Sequence, residues 1–300
     1  MKKTFKYLLA LTLASLSCNF AYSQGEAAMP FLRFDRDPAA AALAGTGKSD
    51  YNPALIPFED YKISAGISYM NWAPSAAKTS DINAAVSYKA GAKFGISAHF
   101  ASDSGEPYDL TDDGGAVTGT FRPRNTVAGI GFGLAFGKTL SAGVNLRYAS
   151  QSLSSSDTYK AFCSDIFLHW QKDALFVEGS VRSIGTPVKT SDGKKYPLPA
   201  SAVVAAGYGL SLGKSALDFG ANAEYFFKGG PAAAVGVQYS FKDMIFARGG
   251  FHYGSKAAVL PTYASLGAGF KYKFIGIDLA WLTANKDLGN TLCLGLSLEF

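Results

Sequence analysis

The sequence predicts an all-β protein: a 14-stranded antiparallel transmembrane β-barrel with a short N-terminal hatch. Three observations carry this expectation. The last ten residues alternate without a break, Leu292, Leu294, Leu296, Leu298 and Phe300 on one side and Thr291, Cys293, Gly295, Ser297 and Glu299 on the other. A strand with one oily and one polar face reads this way. Similar segments recur from residue 61 onward, and the connections between them are alternately long and short, the asymmetry of outer-membrane barrels.

The first 23 residues predict export. Lys2, Lys3 and Lys6 form a basic start, Tyr7 to Leu16 an apolar stretch, and Ala21-Tyr22-Ser23 a small-x-small cleavage site. The apolar run is shorter than the roughly 20 residues of a spanning helix. Cys18 invites a lipoprotein reading, but Ser15 stands where an aliphatic residue is usual, so cleavage after Ser23 is preferred. Removal of three lysines and no acids takes the net charge from +5 to +2, which gives no argument for nucleic acid. Cys163 and Cys293 remain; two distant cysteines do not define a bridge and read as small, half-buried residues.

The 300 residues include 33 glycines, 14% aromatic and only 17% charged residues. After the signal no stretch approaches the length of a membrane helix. A barrel reconciles the two facts, because only alternate residues meet lipid.

Fourteen alternating segments follow the predicted hatch of residues 24–60: 61–72, 79–90, 92–103, 125–136, 139–150, 160–171, 173–184, 199–212, 215–227, 231–242, 244–254, 262–273, 274–284 and 289–300. Each is close to the 9–11 residues, roughly, of a tilted spanning strand. Residues 61–300 thus form the predicted barrel. With the N-terminus in the periplasm, 104–124 and 185–198 are long external connections, while Gly91, Lys172 and Asp243 sit in tight internal ones. Tyr69, Phe100, Tyr148, Tyr225, Tyr253 and Trp281 fall at the outer strand ends. Tyr88, Phe136, Trp170, Tyr239, Tyr272 and Phe300 fall at the inner ends, so that two aromatic girdles are expected.

The polar faces carry Lys62, Asp81, His99, Arg147, Asp165, His169, Glu178, Arg182, Asp218, Glu224, Arg248, His252, Lys271, Asp278 and Glu299. Interspersed signs predict a lumen cross-linked by ion pairs, in preference to a charge-selective channel. The three histidines lie on different strands without metal-site spacing, which favours lumenal hydrogen bonding. No nucleophile elbow or paired catalytic carboxylate stands out, and no enzyme or cofactor is expected. Ala42 to Ser49 nearly spells a phosphate-binding loop, but Ala42 replaces its first glycine and no strand precedes it. Asp109 to Thr120 looks like a calcium loop, but Thr120 stands where the bidentate Glu belongs.

Residues 24–60 do not alternate, and their apolar groups are best buried by a hatch tucked into the lumen. Phe31-Leu32, Asp37-Pro38, Ala40-Ala41-Ala42-Leu43, Gly45 and Asn52-Pro53-Ala54 resemble the N-terminal signature of the PorV/PorQ family, outer-membrane barrels related to the FadL fatty-acid transporters. The resemblance implies a non-enzymatic barrel that docks or shuttles exported proteins in type IX-like secretion, with secretion-system subunits or cargo proteins as partners. The alternative it implies is a FadL-like transporter of hydrophobic small molecules, the ligand passing the Asn52-Pro53-Ala54 hatch and leaving sideways through the wall. Gly129, Gly131 and Gly133 would then permit a kink or, the preferred reading, accommodate the hatch. A structural barrel without cargo remains open.

On either reading the chain meets outer-membrane lipid and the barrel-assembly machinery. The row Leu292, Leu294, Leu296, Leu298 and Phe300 is expected to serve insertion and closure. The last strand should pair with 61–72, leaving no open edge.

Overall fold

The alternating segments become the staves of a closed wall. The computed structural model describes residues 27–47, 51–72, 74, 78–190, 192–255, 259–283 and 289–300. The export segment 1–23, and Lys48 and Ser49 of the phosphate-loop look-alike, lie outside the described residues. The strands begin with β1 (Ile63–Trp72), β2 (Thr79–Lys89) and β3 (Phe94–Ser104), followed by a short hairpin, β4 (Tyr108–Thr111) and β5 (Val117–Phe121). Next come β6 (Arg124–Ala135), β7 (Leu140–Ser152), β8 (Thr158–Lys172) and β9 (Leu175–Gly185). A second small hairpin, β10 (Val188–Lys189) and β11 (Lys195–Tyr196), precedes β12 (Ser201–Leu212), β13 (Ser215–Phe226) and β14 (Gly230–Phe241). The wall ends with β15 (Ile245–Gly254), β16 (Tyr263–Tyr272), β17 (Ile275–Thr283) and β18 (Asn290–Glu299).

Fourteen of these strands form the barrel, every neighbour antiparallel; the two hairpins stand apart in the 104–124 and 185–198 connections. All fourteen expected segments correspond to barrel strands. Closure is made by β1 and β18, with Ser64 opposite Glu299 and Asn71 opposite Leu292. Phe300 extends the seam, its N–H donating to the Ile63 carbonyl at 2.8 Å while its ring stacks on Phe274 at 5.1 Å. The seam closes the sheet on itself, so no barrel strand is left as a free edge.

Period two sorts the side chains. Phe162 is 65% exposed on the outside, whereas its neighbours Ala161 and Cys163 are buried inside. An exposed apolar belt in a soluble protein would aggregate; around a closed barrel it is the surface that meets hydrocarbon.

The hatch threads the lumen from the end with the long connections to the other. Ala28 N–H donates to the Pro197 carbonyl in the long 185–198 connection. A 3-10 turn, Pro30–Arg33, buries Phe31 and Leu32 against Val127, Ala149, Ala161, Cys163, Val188 and Leu198. Helix α1 (Pro38–Ala42) packs on β15–β18. The chain then descends through Asn52-Pro53-Ala54 to a second 3-10 turn, Ile56–Phe58, against β2, β3 and β6, and enters β1.

Candidate functional site

The hatch fits because the wall facing it is stripped of side chains. A Cβ added at Gly133 or Gly143 would collide with Pro53 or Ala54; one at Gly131 would collide with the Ser97 and Asn145 side chains and press on Pro53; one at Gly236 or Gly250 would collide with Leu43 or its neighbours; one at Gly295 would collide with Pro38. Close backbone approach of this kind is what glycine permits in a strand. Gly133 therefore accommodates the hatch, and Gly131 chiefly the Ser97 and Asn145 side chains beneath it. Gly129 instead makes room for the His99 and Arg147 side chains.

Each hatch residue singled out in the sequence has a definite contact. Asp37 caps α1, accepting from Ala40 N–H at 2.9 Å and Ala39 N–H at 3.3 Å, and Pro38 occupies the first turn, where its missing N–H costs nothing. Gly45 has φ +77°, a left-handed conformation, and its carbonyl accepts from Asn222. Asn52 folds its own turn by accepting from Ala54 N–H at 2.9 Å, and its Nδ2 donates to Glu178 on β9 at 2.6 Å. The Ala54 carbonyl accepts from Ser141 at 2.6 Å.

The lumen charges divide into two groups. Toward the outer end, Arg147 pairs with Asp165 at 2.6 Å, hatch Arg36 with Asp81 at 2.7 Å, hatch Arg33 with Glu224, and Arg182 with Glu178 at 3.6 Å. Toward the inner end, Arg248 pairs with Asp278 at 2.5 Å and donates to Gln238, which donates to Asp218; Lys271 pairs with Glu299. Both hatch arginines thus find a wall carboxylate, Glu224 and Asp81, which the sequence places on the polar faces. The signal for the arginines was the charge run in the hatch itself. Burial pushes the hatch Asp35 carboxyl above the usual carboxylate range, offset by the nearby Arg182 and Arg33 guanidiniums.

The histidines and cysteines are spread along this lumen. His99 meets Tyr51 edge-on, His169 stacks on Phe176 near Glu178, and His252 Nδ1 lies 2.9 Å from the Pro261 carbonyl oxygen. Cys163 and Cys293 are buried free thiols on different sides of the hatch. The calcium-loop look-alike forms the β4–β5 hairpin, where Asp112 Oδ1 is occupied by the Gly114 and Ala116 N–H groups.

One wall segment departs from regular pairing. Cys163 faces Gly185 and Ser164 faces Ile184, but Ile166 faces Val181, so β9 carries an extra residue opposite Asp165. Ser183 takes φ +55°, uncommon for a residue with a side chain. This is a β-bulge. Its lost ladder bond is replaced from the side: Asp165 Oδ1 accepts the Ser183 N–H at 2.7 Å and an Arg147 N–H at 2.6 Å. Arg147 also donates to Ser183 Oγ at 2.9 Å and to the hatch carbonyl of Leu32 at 3.2 Å. Hatch, wall and bulge therefore meet at one guanidinium. Beyond Arg182, β9 has no partner on the β12 side, since that ladder starts at Ser201.

Cavities lie on both sides of this patch. Inside is a chamber of about 120 Å³, walled by Leu32, Phe58, Val127, Phe167, Phe176 and Val203 together with the charged groups around Arg147. Outside, facing the membrane, is a mainly apolar groove of about 940 Å³ over Ile130, Leu146, Tyr148, Phe162 and Ile184. His99 and Arg147 line both. A third cavity of about 750 Å³ lies at the inner end; Thr46, Gly47, Asn52 and Leu55 of the hatch line it and the chamber alike, forming the partition.

No protein-family model matches the chain, and no curated protein matches its sequence. Solved structures do match. The monoaromatic hydrocarbon channel CymD superposes with a TM-score of 0.60 at 12% identity, over 88% of this chain and 97% of that one. The toluene transporter TbuX of Ralstonia pickettii gives 0.58 at 12%, over 88% and 98%. A FadL homologue of Pseudomonas aeruginosa gives 0.52 at 11%, over 89% and 95%. The fold is that of the FadL-like outer-membrane barrels. At these identities the likeness is one of fold, and it spans 88–89% of this chain. The narrower likeness of its hatch residues to PorV/PorQ finds no counterpart among these neighbours.

Proposed function

We propose that this FadL-like barrel is a non-enzymatic transporter of small hydrophobic molecules, which cross its wall sideways at the β8–β9 bulge. The observation that carries the reading is the pairing of two cavities across one layer of backbone, with His99 and Arg147 common to both. The hatch partition below the chamber makes the sideways direction the shorter path to an apolar phase. Chamber size sets the scale of the cargo. A dry cavity of about 150 Å³ admits benzene in another protein, so about 120 Å³ suits a single small ring better than a long chain. The neighbouring structures' own ligands, toluene and monoaromatic hydrocarbons, are of that size class and support the reading.

In this account Phe31, Leu32, Asp37, Pro38, Leu43, Gly45, Asn52, Pro53 and Ala54 hold the hatch closed. The Leu292–Phe300 row serves insertion by the assembly machinery. Residues 1–23 are the export signal.

The docking of exported proteins is the second reading; what favours it is the hatch likeness to PorV/PorQ and the two extra external hairpins. Affinity purification from the native outer membrane separates the two. Transport predicts a co-extracted hydrophobic small molecule and no stoichiometric protein partner. Stoichiometric secretion subunits or exported proteins would overturn it in favour of docking.

A further inference from the structure

The membrane face of the barrel changes chemistry within one residue row above the outer groove. Ala128, Tyr148 and Phe162 lie side by side across β6, β7 and β8 at the groove. The Tyr148 and Phe162 rings are 5.1 Å apart. The next outward-facing row is Thr126, Ser150 and Lys160, and the row above it is Arg124, Ser152 and Thr158. Arg124 and Lys160 are both exposed. Neither forms an ion pair among the described residues, and no Asp or Glu shares the outward face of these three strands. Two unpaired cations and a band of hydroxyls thus sit directly over an apolar groove, at the level where lipid headgroups meet acyl chains.

We propose that this face is a binding site for a phosphorylated lipid of the surrounding leaflet. The headgroup phosphate lies between Arg124 and Lys160, and an acyl chain lies in the groove against Tyr148 and Phe162. The charge fits because the guanidinium fork and the ammonium are the two side chains that hold phosphate, and here neither is neutralised from within the protein. The spacing fits because β6 and β8 flank one strand, roughly 10 Å apart, so two flexible arms converge on one headgroup. The apolar part fits because the small Ala128 and Ser164 open the groove between larger neighbours. The groove is shared with the proposed sideways path, but the headgroup site at Arg124 and Lys160 lies above it on the outer surface and stands whether or not cargo crosses the wall.

Native mass spectrometry of the purified full chain tests it, with phosphorylated lipid A, dephosphorylated lipid A and inorganic phosphate titrated separately. The expected result is one tightly held phosphorylated lipid, with affinity falling at least tenfold in the Arg124→Ala, Lys160→Ala double variant. Ala128→Trp, which fills the groove, should lower affinity as well. Lys214→Ala with Lys242→Ala, at the opposite rim, should leave it unchanged. Equal binding by the first double variant or by Ala128→Trp, equal binding of the dephosphorylated lipid, equal loss in the control double variant, or saturation by inorganic phosphate alone would each overturn the site. Arg124 and Lys160 are exposed, so the barrel is expected to stay folded in these variants, which heat-modified gel migration checks.

Discussion

Asp165 on β8 accepts the backbone N–H of Ser183 on β9 at 2.7 Å, and so closes a bulge that the strand ladder leaves open. The same oxygen holds Arg147, whose other N–H groups reach the Ser183 hydroxyl and the hatch at Leu32. A bulge normally leaves its extra residue unpaired and bends the strand. Here a buried ion pair fixes the bend and ties it to the hatch.

Arg147→Met is expected to loosen this corner. It leaves Asp165 buried without its cation, a defect costing about 3–5 kcal/mol where such pairs are broken. Hydrogen exchange should accelerate at residues 183–185 and 30–34 together, and stay unchanged along β13 and β14. Uniform acceleration around the barrel would mean a general loss of stability and no local coupling.

Gly133→Val is expected to dislodge the hatch without unfolding the barrel, since its Cβ would occupy the position of the Pro53 carbonyl. Limited proteolysis should cut within 27–60 faster than in the wild type, with gel migration of the folded barrel preserved. Gly179→Ala, which meets nothing nearby, is the matched control and should be silent.

Asp35→Asn is expected to stabilise the protein at neutral pH. Burial raises the Asp35 carboxyl in the folded state, so the folded chain holds that proton more tightly than the unfolded chain. Stability therefore falls as pH climbs from the usual carboxylate range through the raised value, and the neutral amide removes that loss. The gain in Tm should be present at neutral pH and shrink as pH falls to the usual carboxylate range. A gain independent of pH would assign the effect to packing.

Deletion of Phe300 is expected to lower the amount of barrel assembled in the outer membrane. The residue supplies three backbone hydrogen bonds at the β1 seam and a stack on Phe274. Quantifying the folded form in isolated membranes checks this; normal levels would contradict a closing role for the terminal residue.

The wall was legible because its physics is local. Alternation of the kind in Leu140–Ser152 needs only the pleat and a two-sided environment, and the even count follows from closing a barrel whose neighbours are all antiparallel. The bulge was less visible, though a trace of it is in the sequence. Glu178, Ser180 and Arg182 keep one phase, which would turn Ile184 inward; an extra residue at Ser183 restores it to the outside. The path of the hatch was not legible, since it depends on distant partners: Asn52 with Glu178, and Arg33 with Glu224. The glycines facing it were the readable half of that contact. Small residues opposite Leu43 and Pro53 mark a wall that something approaches closely. The two external hairpins escaped notice because each is held by few pairs and by turns such as that at Asp112.

The most direct measurement is the initial uptake of radiolabelled toluene by intact cells whose outer membrane contains this protein as the added barrel. The account predicts faster uptake than in cells lacking it, faster still with Arg147→Met, and slower with Ile184→Trp across the outer groove. Uptake equal to that of cells lacking the protein, or unaffected by either substitution, would contradict passage through the wall at the bulge.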